Sequence, residues 1–531
     1  MTRYAARALI AALASLFMVV PFAPTFAAAQ AQKITSLELL SQTPWVSSGG
    51  TFSVRIAAPP VPRTSPSELE YAVSVHPASS SRSAFLRTLT TRPTSAPLAV
   101  ITTPVADAPT DENGAVTLDV GMQDPAQPRD RSRVGLRGAG VYPVVVELRT
   151  VDGAAHARLL SHLIFQPVAP NGPRLAVGAV VPIRAPVALR ADGTDRLSAG
   201  DVSAIANAAT TLATLPRDGV LLDPSPETLA AIARGTRAGD RAALAALQAI
   251  ATTHPVIAEP FVAVQTPEAN AADRAAGLER GRTVITETLG VVPSRAVTVL
   301  RDASDARLDD DLPDRVIVRD TLLQSATQVV TAAAPVGLRR PSSRTIVTGL
   351  IADTDLGAYF ANDESPVLSA HHLLADLATI YFDNPGRTRS IVVLPTSTWR
   401  PNAALLGPFL AGLASSPILE GATLDLLYTP APSMSISRAR TVQPPTPADA
   451  TAEFASVRRT VASFQSLLVD SPDVAQSFRD RLLIAESAAL SVSARRSYVN
   501  GLAQALTAER HKFQLPRVGR SRSLRDAAAS R

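Results

Sequence analysis

RLAVGAVVPI, residues 174–183, is apolar in both registers of a strand, with neither odd nor even positions reserved for polar side chains. A strand reads this way when both its faces are covered, which is the condition inside a parallel sheet with crossover helices. The same grammar recurs in GVLLDPS (219–225), PVIAEPF (255–261), AVTVLRD (296–302), RVIVRD (315–320), TIVTGLIAD (345–353), SIVVLPTSTW (390–399) and ATLDLLYT (422–429). Ala-rich helical stretches such as 198–214 and 226–251 separate the runs. Eight such runs predict a central α/β domain over 174–430, a β/α barrel, complete or distorted, with an open doubly wound sheet as the alternative.

Upstream the pattern changes. ITSLELL, GTFSVRI, ELEYAVSVH, AVTLDVG and YPVVVELR are short runs with partial alternation, punctuated by Gly, Pro, Ser and Asn-Gly. They predict an N-terminal β-sandwich, Ig-like, over 33–168. Its clearest piece is a hairpin from Val141 to Phe165 around Asp152-Gly153. QPVAPNGP (166–173) closes it as a linker. Downstream of the barrel, 431–450 reads as a Pro-rich linker and 451–510 as a C-terminal helical segment packing beside the barrel. Residues 511–531 read as a basic, disordered tail. At the other end, Arg3 and Arg7, the apolar run from Ala8 to Phe22 and Ala27-Ala28-Ala29 follow the plan of a secretory signal peptide over 1–31. The chain is therefore expected to be exported, secreted or on the extracytoplasmic face of the envelope, with no transmembrane anchor.

The net charge of +5 invites a nucleic-acid reading, so its location decides. Without residues 1–32 and 511–531 the body holds 43 basic and 45 acidic side chains, and a nucleic-acid partner is not expected. Cysteine is absent, which excludes disulfides, thiolate metal sites and thiol catalysis.

Several of the apolar runs end in a carboxylate: Asp223, Glu259, Asp302, Asp320 and Asp353. The C-terminal ends of barrel strands converge on one face, so these acids are candidates to share a cleft. Glycosidic hydrolysis needs one carboxyl to protonate the leaving oxygen and another as nucleophile or base. Asp223 and Glu259 are the candidate catalytic pair; Asp302, Asp320, Asp353 and Trp399 are candidate cleft-lining residues. Against this, Asp is favoured after strands because it caps the next helix. For Trp399 simple packing is the stronger reading, and Trp45 reads as core of the β-domain. Adjacent His371-His372 point about 100° apart on a helix and do not make a shared metal site, so no metal and no cofactor is expected. The run Asp302–Asp314 has the oxygen density of a calcium loop, but it lacks the glycine turn and terminal Glu and reads as a solvated connection. No G-x-S-x-G elbow, phosphate loop or dinucleotide fingerprint occurs.

LLSQTPWVSSGGTFSVRI (39–56), GAGVYPVVVELRTVDG (138–153) and GVLLDPSPETL (219–229) together resemble an uncharacterised actinobacterial envelope family, a domain of unknown function. The resemblance covers most of 33–510. It implies a secreted or membrane-anchored ectodomain with a glycosidase- or deacetylase-like barrel, a cell-wall setting, and encoding beside the lipid II flippase. It carries over no catalytic residue; only Asp223 falls on a matching motif. Members usually continue into a further β-domain and a transmembrane helix, where this chain has PRVGRSRSLRDAAASR, so either a soluble member or a truncation is expected. The expected role is a binding or accessory module in cell-wall biogenesis, with peptidoglycan, its precursors or an envelope membrane protein such as that flippase as partner. A glycan hydrolase and a structural partner of a transporter are the alternatives, and catalysis is left open.

Overall fold

The computed structural model describes residues 34–57, 66–263, 271–294, 297–300, 314–323, 333–339, 346–361, 365–430, 433–438, 451–465, 472–487 and 489–514. The expected signal peptide, Asp302 with the acidic run to 313, most of the linker and the tail from 515 lie outside the described residues.

Among the described residues the N-terminal unit has eight strands: β1 (Thr35–Ser36), β2 (Leu39–Gln42), β3 (Thr51–Ile56), β4 (Leu69–Val75), β5 (Ala99–Pro104), β6 (Val116–Gly121), β7 (Gly140–Thr150) and β8 (Ala155–Phe165). They form a five-stranded sheet, order β1-β8-β7-β4-β5, and a three-stranded sheet, order β2-β3-β6. Strand β3 alternates strictly, and its buried Phe52, Val54 and Ile56 meet Val73, Val146 and Leu163 of the larger sheet in one cluster. Strands β7 and β8 turn at Asp152-Gly153, where Gly153 takes φ +98, a left-handed conformation that costs other residues more. Both lose alternation along their length. Their second face is covered too: Val141 and Ile164 belong to the core of the next domain, as does Phe85 of α1 (Arg82–Thr88), a helix the strand pattern does not announce.

That next domain follows the parallel plan. β9 (Leu175–Ile183), β10 (Val220–Pro224), β11 (Val297–Leu300) and β12 (Arg315–Arg319) are its first strands. β13 (Val336–Arg339), β14 (Ile346–Ala352), β15 (Arg389–Val393), β16 (Leu419–Gly421) and β17 (Ser433–Arg438) complete it. The order β10-β9-β15-β14-β12-β11 is parallel throughout and curls into a half-barrel. Single parallel bridges Leu222↔Val256 and Ile257↔Ser294 carry the ladder on from β10 towards β11. Strands β9, β10, β11 and β15 are buried at every position, as their sequences require. Full burial of each such Val, Leu or Ile contributes about 1.5–3 kcal/mol.

Four elements differ from the sequence reading; the run 255–261 makes only the bridges at Val256 and Ile257 in place of a full strand. ATLDLLYT forms the short helix Leu424–Leu427, because Thr423 caps it by accepting from Leu426 N at 3.4 Å; the strand there is β16, just upstream. Strand β13 runs antiparallel to β14 and also pairs with β17, which occupies the start of the stretch read as linker. The helical stretch 226–251 is two helices, broken at Gly235.

In chain order the helices of this domain are α2 (Ala199–Thr214), α3 (Pro226–Arg234), α4 (Ala238–Ala251) and α5 (Ala271–Leu289), then α6 (Thr354–Ala358), α7 (Pro366–Asp383) and α8 (Ala403–Ala414). The short helix Leu424–Leu427 is α9. The last three are α10 (Thr451–Gln465), α11 (Pro472–Ala485) and α12 (Val492–Gln514). Helices α10 to α12 build their own core from Phe454, Val457, Val461, Phe478, Leu502 and Leu506. They are fastened to the barrel by Arg280–Asp480 (2.9 Å), by Arg481 donating to Ala191 O (3.1 Å) and by Tyr498 donating to Leu189 O (3.2 Å). Among the described residues no helix is long and apolar enough to cross a membrane.

Candidate functional site

A cavity of about 450 Å³ opens where the parallel strands end. This lies within the range of small-molecule sites. Arg184 enters it directly after β9, Ser225 and Glu227 after β10, Glu259 after the bridges made by Val256 and Ile257, and Arg400 in the segment after β15. Ser487 and Ala489, between α11 and α12, supply one wall, so the helical segment is part of the cleft.

Arg184 organises the floor. Its Nη2 donates to both oxygens of Asp223, at 2.9 and 2.8 Å, and lies 3.4 Å from Glu259 Oε2. Asp223 is wholly buried and Glu259 6 % exposed. The structure thus brings together the two acids singled out as a pair, with a cation between them. Arg184 Nε is buried and has no hydrogen-bond acceptor among the described residues.

Glu227, the second residue of α3, is buried, and its Oε1 accepts from Ala188 N (2.8 Å) and Leu189 N (2.9 Å). Burial pushes its carboxyl above the usual range, and the two backbone N–H groups oppose that shift. It pins the loop after β9 to α3, holding Arg184 at the cleft.

The remaining candidates go elsewhere. Asp353 caps α6 by accepting from Leu356 N (3.0 Å) and is gripped by Arg82 at 2.6 Å. Asp320 is exposed and accepts from Thr321 N (2.7 Å), Thr354 N (3.2 Å) and the Thr354 hydroxyl. These are the cap and turn roles that compete with catalysis for a strand-end Asp. Trp399 packs edge-on to Phe360, ring centroids 4.9 Å apart, within the barrel core, while its neighbours Thr398 and Arg400 line the cleft. Trp45 leaves the β-domain core: it packs on the barrel cluster and donates to Gly412 O at 2.6 Å. Among the described residues no group of three or more His, Asp or Glu is placed to hold a metal.

Sequence reading misses Arg184, Glu227, Arg400 and Ser487. Arg184 is within its reach, since this residue closes RLAVGAVVPI as Asp223 closes GVLLD, and a strand end delivers a cation to the cleft as readily as an acid.

Glu259 is positioned from behind by α5. A methyl group added at Gly281 would overlap the Glu259 carbonyl oxygen, and Phe261 N donates to Gly277 O at 2.8 Å. Gly281→Ala is therefore expected to push the Glu259 segment off α5, lowering stability by about 1–3 kcal/mol. Urea unfolding checks the loss, and a variant as stable as the parent would show that this contact does not hold Glu259.

No protein-family profile and no curated protein sequence matches the chain. Among solved structures, a 4-alpha-glucanotransferase from Thermococcus litoralis is similar with TM-score 0.40 and 13 % identity, over 63 % of this chain and 55 % of its own. The chain thus spans about half of that protein's length. An exo-type maltose-forming amylase from a Pyrococcus species scores 0.42 at 10 % identity, over 63 % of this chain and 73 % of its own. A probable polysaccharide deacetylase from Pseudomonas aeruginosa scores 0.34 at 9 % identity, over 48 % of this chain and 90 % of its own. Likenesses this distant carry no argument about chemistry, which rests on the cleft's own residues.

Proposed function

We propose that the protein is an exported envelope component whose cleft binds cell-wall glycan as an accessory module, with the N-terminal unit as a β-sandwich and the C-terminal helices as one wall of the site. The observation that carries this reading is Arg184 held between Asp223 and Glu259. Two carboxylates bridged by a guanidinium make a rigid polar floor, suited to hydroxyl and amide groups, in place of an acid and a base poised apart. The buried Asp223 acts through Arg184, and Arg184, Glu227 and Glu259 reach the ligand.

A hydrolase is the second reading, favoured by one observation: these two carboxylates, and no other pair of the candidates among the described residues, meet at the cleft. The two separate by titrating the purified chain with peptidoglycan and lipid II fragments while turnover is followed in parent and Asp223→Asn/Glu259→Gln. Binding without turnover is the expected result. Turnover abolished in the double variant would replace the module by the hydrolase. Absence of binding would shift the proposal to a protein partner, the envelope flippase being the one the resemblance implies.

A further inference from the structure

Residues 188–196 form a small hairpin between β9 and α2, closed by Arg190 N donating to Thr194 O (2.8 Å) and Arg196 N to Ala188 O (2.9 Å). Two parts of the chain grip it. From α3, Glu227 Oε1 accepts from Ala188 N and Leu189 N, and Arg234 donates to Asp195 at 2.7 and 2.9 Å. From the C-terminal helices, Arg481 donates to Ala191 O at 3.1 Å and Tyr498 to Leu189 O at 3.2 Å. Leu189 is common to both grips, its N–H given to Glu227 and its carbonyl held by Tyr498. Glu227 is 1 % exposed and lines the cavity. Both of its donors aim at Oε1, and Oε2 takes no hydrogen bond from a described residue. A nearly buried carboxyl oxygen left this way costs free energy until a donor meets it, and a bond to a charged acceptor is stronger than one between neutral groups.

We infer that Glu227 Oε2 is the acceptor this cleft offers to a ligand hydroxyl, and that α12 sets the position of that oxygen through Tyr498 and Leu189. Glu227 is then a contact residue, Tyr498 a positioning residue, and the helical segment a working part of the site. The hydroxyl contact rests on the reading of the cleft as a glycan site; the positioning by Tyr498 does not.

Glu227→Gln tests the contact. The two backbone N–H groups keep the amide oxygen at the inner position and send the NH2 outward, so the acceptor at the cavity becomes a donor while the hairpin stays pinned. In calorimetric titration of the full chain with N-acetylglucosamine oligomers and soluble peptidoglycan fragments, the variant is expected to bind about tenfold more weakly than the parent. Affinity equal to the parent's would overturn the contact. Should Glu227→Gln fail to fold, Glu227→Asp, which withdraws the carboxylate by one methylene, takes its place.

The positioning is read from the NMR titration of the Glu227 carboxyl carbon, assigned by its absence from the variant. Burial raises this titration; the Leu189 and Ala188 N–H groups and Arg234 lower it, and Asp195 raises it. Tyr498 faces the carboxyl from α12, and Arg184 and Glu259 line the same cavity. Tyr498→Phe releases the Leu189 carbonyl and loosens the N–H groups that favour the charged form, so the midpoint is expected to move up. A role in stability alone would leave the folded-state midpoint where it is, and an unmoved midpoint would overturn the positioning. If no probe binds the parent, the glycan reading and the hydroxyl contact fall together, while the midpoint still decides the role of Tyr498.

Discussion

Replacing Arg82 by methionine is expected to lower the stability of the folded chain by about 3–5 kcal/mol, the usual cost of stranding buried charge. The guanidinium on α1 forks onto two carboxylates of the barrel. Nε and Nη2 donate to Asp376 at 2.7 and 3.0 Å, and Nη1 and Nη2 to Asp353 at 2.6 and 2.9 Å. Asp376, on α7, is fully buried and is joined by Tyr359 Oη at 3.2 Å. Its burial pushes the carboxyl above the ordinary range, and Arg82 works against that shift. Without Arg82 the buried carboxylate must stay charged with no cation or take up a proton, and either costs free energy. Because α1 belongs to the N-terminal unit, the loss should show itself as undocking of that unit from α7, seen as faster amide exchange in β7, β8 and α7. Adding Asp376→Asn should recover part of the loss, since the double variant no longer strands a full charge. A loss of less than about 1 kcal/mol would show that the network contributes no more than a surface ion pair.

The second large effect is acid lability of the same seam. His162 of β8 and His371 and His372 of α7 are buried together, with the His162 and His372 rings 5.2 Å apart and edge-on. His162 contacts Thr88 Oγ1 at 2.8 Å, and His372 Nε2 lies 3.2 Å from Leu160 O. Loss of water is the chief influence on all three, and His372 further lowers the other two. His371 is pushed down to about 3 and His372 to about 4, with His162 also well below the usual value. The unfolded chain takes up these protons from about pH 6.5 downward while the folded chain refuses them. Stability is therefore full above that pH and falls as pH drops towards 4, by about 1.4 kcal/mol per pH unit for each histidine. Urea midpoints from neutral pH to pH ~4 should show this slope, and His371→Leu should flatten it by one histidine's share. An unchanged slope after removal of two of the three would place the acid sensitivity elsewhere.

How much of this is legible in the chain follows the range of the forces involved. The unbroken apolar runs of β9, β10, β11 and β15 announce double-sided burial. Val220 to Pro224 and the acid at 223 are readable because strand, turn and helix start lie within a few residues of one another. The hairpin of β7 and β8 is readable for the same reason. By contrast, the fate of each strand-end carboxylate is not. Asp223, Asp320 and Asp353 look alike in sequence, yet one pairs with Arg184, one ties a turn to Thr354 and one caps α6 under Arg82.

By itself, then, the amino-acid sequence determined the kind and order of most of the secondary structure, the absence of thiol chemistry and the placing of acids at strand ends. Only the tertiary structure decided which of those acids meet, that a cation sits between two of them, that α11 and α12 wall the cleft, and that Arg82 bolts one domain to the next. The physical reason is that periodicity and capping act over one or two turns of chain. Pairs such as Arg82 with Asp376 or Arg280 with Asp480 are instead set by how whole elements pack, at sequence separations of 294 and 200 residues where local pattern carries no information.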